Sequence, residues 1–119
     1  MDMWQVIFHE TFDEEFMELP ADVQDAILSH KGLLEMFGPQ LSRPHADTLE
    51  GSKYSNMKEL RFDADNGVWR VAFAFDHQRQ AVLLVAGDKS GTGQKRFYKQ
   101  LIKKADERFK DWLKSQKGE

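Results

Sequence analysis

The sequence predicts an α+β fold with the order β-αα-βββ-α: a mainly antiparallel sheet with an N-terminal αα-hairpin packed on one face, and a C-terminal helix. Three observations predict it. Apolar residues alternate with period two near the N-terminus and again in three runs between Met57 and Asp88. They recur at helical spacing before and after those runs, and Asp65-Asn66-Gly67 supplies a hairpin signal between two of them.

Taken in order, Trp4, Val6 and Phe8 alternate with Gln5, Ile7 and His9, which predicts an opening strand. From Asp13 the period changes. Phe12, Phe16 and Leu19 fall at helical spacing, and Pro20 interrupts the pattern. Val23, Ile27, Leu34 and Phe37 line one face of a second helix that Pro20 can open and Gly38-Pro39 stops. Residues 39–56 hold two of the three prolines and many small polar residues, so they predict a connecting loop, pinned to the core by Leu41 and Leu49. Met57 to Phe62, Val68 to Asp76 and Ala81 to Asp88 then form a three-stranded meander, with a second turn at His77-Gln78-Arg79. The continuous apolar run Val82-Leu83-Leu84-Val85-Ala86 suits a central strand. A glycine-rich passage, Gly87 to Gly93, leads into a last helix marked by Phe97, Leu101, Ala105, Phe109 and Trp112.

The 119 residues, 40% of them hydrophobic, suit one domain spanning 1–119. The absence of cysteine excludes disulfides and thiolate metal sites and fits a reducing, cytoplasmic address. The N-terminal stretch Met1-Asp2-Met3-Trp4-Gln5 has no leader pattern, and no run is long and apolar enough to span a membrane. Charge is unevenly divided. Residues 1–50 carry 11 acids and 2 bases, a balance of −9, whereas residues 51–119 carry 15 bases and 9 acids, a balance of +6. Such a division predicts one surface that repels polyanions and one that attracts them, a pattern of nucleic-acid binders, although a solvated basic helix face produces it too.

Strand alternation sets Leu60, Phe62, Trp69, Val71, Phe73 and Phe75 on a core face and Glu59, Arg61, Arg70, Ala72 and Ala74 on the other. With Asn66-Gly67 as the two turn residues, Asp63 faces Arg70, Arg61 faces Ala72 and Glu59 faces Ala74. Charges around small residues predict a shallow, open floor. Lys89, Lys95, Arg96 and Tyr98 follow the last strand and could rim it, while ion pairs on a solvated sheet face are the plainer alternative for the arginines. Gly91-Thr92-Gly93 lacks the GxxxxGK[ST] pattern of a phosphate loop. His9, His30, His45 and His77 form no close-spaced pair on one element, so no metal and no cofactor is expected.

Three blocks, Met57-Lys58-Glu59-Leu60-Arg61-Phe62, Trp69-Arg70-Val71-Ala72-Phe73-Ala74-Phe75-Asp76 and Ala81 through Gly91, together resemble the RelE/ParE superfamily, in particular its phage-derived HigB-like branch. The resemblance continues through Phe97-Tyr98, Leu101-Ile102 and Ala105-Asp106, and the element order matches over nearly the whole chain. It implies the toxin of a type II toxin–antitoxin system, a metal-independent endoribonuclease that cuts mRNA on the ribosome and inhibits translation. It also implies a cognate antitoxin of helix-turn-helix type.

In such a reaction the RNA 2′-hydroxyl attacks the adjacent phosphorus, so a proton must be removed and extra phosphate charge stabilised. The resemblance points to Arg70, Arg61 and Tyr98 for catalysis, with packing of Tyr98 beside Phe97 as the plainer alternative, and to Lys58, Lys89, Lys95 and Arg96 for substrate holding; Glu59 is a candidate general base in place of the family's usual group. Two departures stand out: the first hairpin strand carries a single Lys58 beside Glu59 in place of a lysine pair, and the chain is mildly acidic. Two other readings keep the fold, a ParE-like inhibitor of DNA gyrase and a noncatalytic phage-derived protein-binding domain.

Overall fold

The computed structural model describes residues 3–117; Met1 and Asp2, part of the stretch read above for a leader, lie outside the described residues, as do Gly118 and Glu119. Nine elements follow in order: β1 (Gln5–Phe8), α1 (Glu10–Phe16), α2 (Ala21–Phe37), a 3-10 turn (Gly38–Gln40), β2 (Ala46–Thr48), β3 (Met57–Ala64), β4 (Gly67–Phe75), β5 (Gln80–Asp88) and α3 (Gln94–Lys117). They build a five-stranded sheet in the order β1-β5-β4-β3-β2. Only the β1–β5 pairing is parallel.

Local chemistry sets the boundaries. α1 starts at Glu10, ahead of the Asp13 expected from periodicity, because the His9 Nδ1 accepts the Thr11 N–H at 3.1 Å and caps the first turn. α2 ends where Gly38 adopts φ +55° beneath the Trp4 indole, a site where a Cβ would overlap the ring. The segment expected as an uninterrupted loop over 39–56 contains β2, which pairs with β3 through Ala46↔Leu60, Asp47↔Glu59 and Thr48↔Lys58. Three residues are too few to carry a visible period, and the neighbouring prolines masked them.

The hairpin closes one residue earlier than expected. Asp65 and Asn66, at φ 50° and 60°, are the two turn residues, so Ala64 pairs with Gly67 and Arg61 lies opposite Arg70. Glu59 accordingly faces Ala72. The shift moves each partner by two residues, so every side chain keeps its face. Gly67 is required for another reason than its backbone angle: a Cβ there would lie 2.7 Å from the Asp88 carboxylate.

Both faces of the sheet are covered. On one, Phe12, Phe16, Val23, Ile27 and Leu34 from α1 and α2 pack on Leu60, Val71, Phe73 and Leu83. On the other, Phe97, Leu101, Ala105 and Phe109 of α3 pack on Met57, Ala72, Ala74, Val82 and Leu84. The alanine floor expected to be open is therefore a second core over much of its length. Ala72, Ala74 and Gly87 are small because aromatic side chains of α3 occupy the space above them, and a Cβ at Gly87 would lie 2.9 Å from the Phe97 ring. Each buried phenylalanine contributes about 1.5–3 kcal/mol.

Polar ties fix α3 at both ends of the sheet. Arg108 donates to both Glu15 carboxylate oxygens, at 2.8 and 2.7 Å, and to the Leu84 carbonyl at 2.8 Å. Asp76 accepts from Trp112 Nε1 at 2.9 Å and Gln116 Nε2 at 2.8 Å, which anchors the last turns of α3 to the β4–β5 hairpin. No helix among the described residues is long and apolar enough to cross a membrane.

Candidate active site

α3 leaves one part of its sheet face uncovered. There a groove of about 860 Å³ opens between β2 and the first turns of α3. Its floor is Glu59 and Arg61 from β3. One wall holds Arg43, Asp47, Thr48, Leu49 and Glu50, and the other holds Lys89, Lys95, Tyr98, Lys99 and Ile102.

Lys89 reaches this groove through a register fault. Strict alternation from Ala81 and Leu83, which face α2, would carry Lys89 to the α2 face as well. A bulge intervenes: Ala72 pairs with Val85 but Phe73 pairs with Leu83, leaving Leu84 extra on β5. Leu84 and Val85 therefore both pack in the α3-side core, and Gly87 and Lys89 follow Val85 to that side.

The floor is a connected set of charges and hydrogen bonds. Glu59, 4% exposed, has its Oε2 2.7 Å from Arg61 Nη1 and its Oε1 2.9 Å from the Tyr98 hydroxyl, which donates to it. Arg70 Nε donates to the same Tyr98 oxygen at 3.2 Å and lies 3.9 Å from Glu59 Oε1. A buried carboxylate needs such partners, since an unpaired one would cost several kcal/mol. Burial, reinforced by the Glu59 hydrogen bond and opposed by the one from Arg70, holds the Tyr98 phenol above its ordinary range. Lys89, whose ammonium is 5.9 Å from the Tyr98 ring centre, is lowered below the usual lysine value by desolvation and then by Arg70 and Arg61.

The structure brings Glu59, Arg61, Lys89, Lys95 and Tyr98 together and sets three other candidates apart. Arg70 is 6% exposed and does not line the groove; its Nη1 is spent on the Trp69 carbonyl at 2.8 Å, behind Tyr98. Lys58 falls on the opposite face from Glu59, with Leu60, because successive residues of a strand alternate. Arg96, exposed near Gly93, does not line the groove but an adjoining surface depression that shares Gln94, Lys95 and Lys99 with it. Arg43, Asp47, Glu50 and Lys99 were not singled out in the sequence. Lys99 follows Lys95 by one helical turn, a spacing legible before folding, whereas the β2 wall is brought to the groove by tertiary pairing alone. Among the described residues no group of three or more His, Cys, Asp or Glu side chains could hold a metal ion.

The three-layered α3/sheet/αα-hairpin domain, with its cation-rich groove at one end of the sheet, has the RelE-like fold. A mutant of the Escherichia coli toxin RelE in the free state superposes with a TM-score of 0.64, at 11% identity, over 89% of this chain and 97% of that one. The RelE–RelB complex of the archaeon Pyrococcus horikoshii gives 0.54 at 18% identity, over 76% of this chain and 99% of the other. At the sequence level, the family model for phage-derived Gp49-like proteins matches residues 14–110. Mycobacterium tuberculosis HigB3 is 42% identical over 95% of this chain and 96% of its own length. HigB2 of the same organism is 40% identical over 80% of this chain, which spans 47% of that longer protein. The chain belongs to the phage-derived Gp49-like family, in the HigB branch of the RelE toxins.

Proposed function

We propose that this HigB-family toxin is a ribosome-dependent endoribonuclease that cuts mRNA without a metal and is held inactive by a cognate antitoxin of helix-turn-helix type. Its site of action is then the cytoplasm. The carrying observation is the Tyr98–Glu59 contact of 2.9 Å at the foot of a groove rimmed by Lys89, Lys95 and Lys99. Polyanion-binding cations and a proton-accepting pair are the two parts that RNA transesterification needs.

The step balances with groups of the groove. The 2′-oxygen forms a bond to phosphorus as the bond from phosphorus to the 5′-oxygen breaks. The 2′-hydroxyl proton passes to Tyr98 Oη while the tyrosine's own proton moves to Glu59 Oε1, and Arg70 Nε donates to Tyr98 Oη to steady it. Arg61 meets charge developing on the phosphate. Lys89, made more acidic by its surroundings, gives the departing 5′-oxygen a proton. The products are a 2′,3′-cyclic phosphate and a 5′-hydroxyl, and solvent restores both groups.

Expression of the full chain without an antitoxin tests the reading. Growth should stop and new mRNA ends should arise inside translated frames. Arrest with intact mRNA and accumulating DNA breaks would instead support gyrase inhibition, and unimpeded growth a noncatalytic binding domain.

A further inference from the structure

The groove is electrically two-sided, and the sides match the two sides of a nucleotide. Along α3 and the end of β5 stand Lys89, Lys95 and Lys99. Across from them, the β2 wall carries the carboxylates Asp47 and Glu50, with apolar contact from Leu49 on that wall and Ile102 on the other. Asp47 is fixed in place: its Oδ2 accepts from Arg43 Nε at 2.8 Å and its Oδ1 from the Thr48 N–H at 2.8 Å. Glu50 forms no hydrogen bond or ion pair with another described residue. Arg43 on the same wall neutralises Asp47, so the unpaired Glu50 leaves the β2 wall net negative against a wall of lysines, which favours phosphates along α3 and base edges toward β2.

Resting on the nuclease reading of this groove, we propose that the β2 wall is a base-selecting subsite in which Glu50, flanked by Asp47, favours bases bearing an exocyclic amine and disfavours uracil. A carboxylate only accepts hydrogen bonds. Adenine, cytosine and guanine each offer an amine donor, whereas the pairing edge of uracil presents two carbonyl oxygens around one N–H, and those oxygens are repelled by a carboxylate. Ile102, half-buried at the groove, contacts the flat face of any base, which contributes affinity without selection.

Binding separates this subsite from the chemistry. Short single-stranded oligonucleotides with one central base varied and a 2′-deoxy sugar at the junction cannot be cut there, and their affinity is read by fluorescence anisotropy at low salt. Adenine, cytosine or guanine at the centre should bind more tightly than uracil by about fivefold, the size expected of one charge-assisted hydrogen bond in an open groove. Glu50→Gln should halve that ratio or more, and Glu50→Gln combined with Asp47→Asn should abolish it while leaving the melting temperature and the affinity for the uracil probe unchanged or improved. Equal affinity for all four bases, absence of binding, or a ratio unaffected by both substitutions overturns the proposal. Selective binding by a chain that cuts no mRNA in the expression assay would overturn the nuclease reading and leave the base subsite standing.

Discussion

The Tyr98 hydroxyl lies 2.9 Å from Glu59 Oε1, across 39 residues of sequence, and among the described residues is the one neutral partner of a carboxylate otherwise held by Arg61 and Arg70. Glu59 is thereby able to take a proton without touching substrate. Removing the phenol oxygen in Tyr98→Phe should reduce mRNA cutting by about 10²-fold or more, the usual size of a general-base contribution. Stability should fall by about 1–3 kcal/mol, because the phenol oxygen both donates to the buried Glu59 and accepts from Arg70. Single-turnover cleavage on programmed ribosomes with a parallel urea melt measures both, and full activity in this variant would remove Tyr98 from the reaction.

Arg70 supports the site from behind. With its Nη1 on the Trp69 carbonyl and its Nε on Tyr98, Arg70→Ala leaves that carbonyl and the Tyr98 hydroxyl each short of a partner and removes a cation from 3.9 Å beside the buried Glu59. The expected loss is about 2–3 kcal/mol of stability, together with activity. Lys89→Gln should by contrast lose activity at nearly unchanged stability, because the side chain makes no hydrogen bond in the floor network. Equal melting temperatures for the two variants would contradict this division of roles.

Acid should weaken the fold, starting in the histidine range. Burial holds His9 and His30 below the ordinary histidine value of 6.5, with Arg108 adding to the effect at His9 and His45 at His30. The unfolded chain therefore binds more protons than the folded one as pH falls below about 6.5, so stability is full above that pH and declines beneath it. Asp76 extends the loss into the carboxylate range: burial alone would raise it, but hydrogen bonds from Trp112, Gln80 and Gln78 bring it below the usual value. His30 donates its Nδ1–H to the Ala26 carbonyl, and its buried Nε2 has no hydrogen-bond partner among the described residues. Urea melts between pH 7.5 and 5 should show the decline, and His30→Phe should flatten its upper part; identical slopes would exclude His30 as a contributor.

Gly38 is the most constrained glycine. Its φ of +55° and the Trp4 indole above it leave no room for a Cβ, so Gly38→Ala should destabilise by about 1–3 kcal/mol or more through overpacking and backbone strain. Gly91, also at positive φ but with open space around it, should tolerate alanine at the smaller cost of strain alone. Thermal melts of the two variants compare packing with strain directly.

Alternation in Met57–Asp63 and Trp69–Phe75 determined which side chains share a face, and helical spacing determined the buried face of α2 and α3, because both periods are properties of a few consecutive backbone units; Phe37, expected on that face of α2, is 47% exposed at the helix end. The same locality made Arg61, Tyr98 and Lys95 visible as candidates. Tertiary structure alone decided the rest. The hairpin closed on Asp65-Asn66 rather than Asn66-Gly67, which sets Gly67 in β4 against the Asp88 carboxylate. The bulge after Leu83 carried Lys89 through the sheet, α3 covered Ala72 and Ala74, and β2 delivered Asp47 and Glu50 opposite the lysines. Each of these is settled by the closest packing of segments far apart in the chain, and a free-energy minimum over such contacts has no periodic trace in the residues that make them.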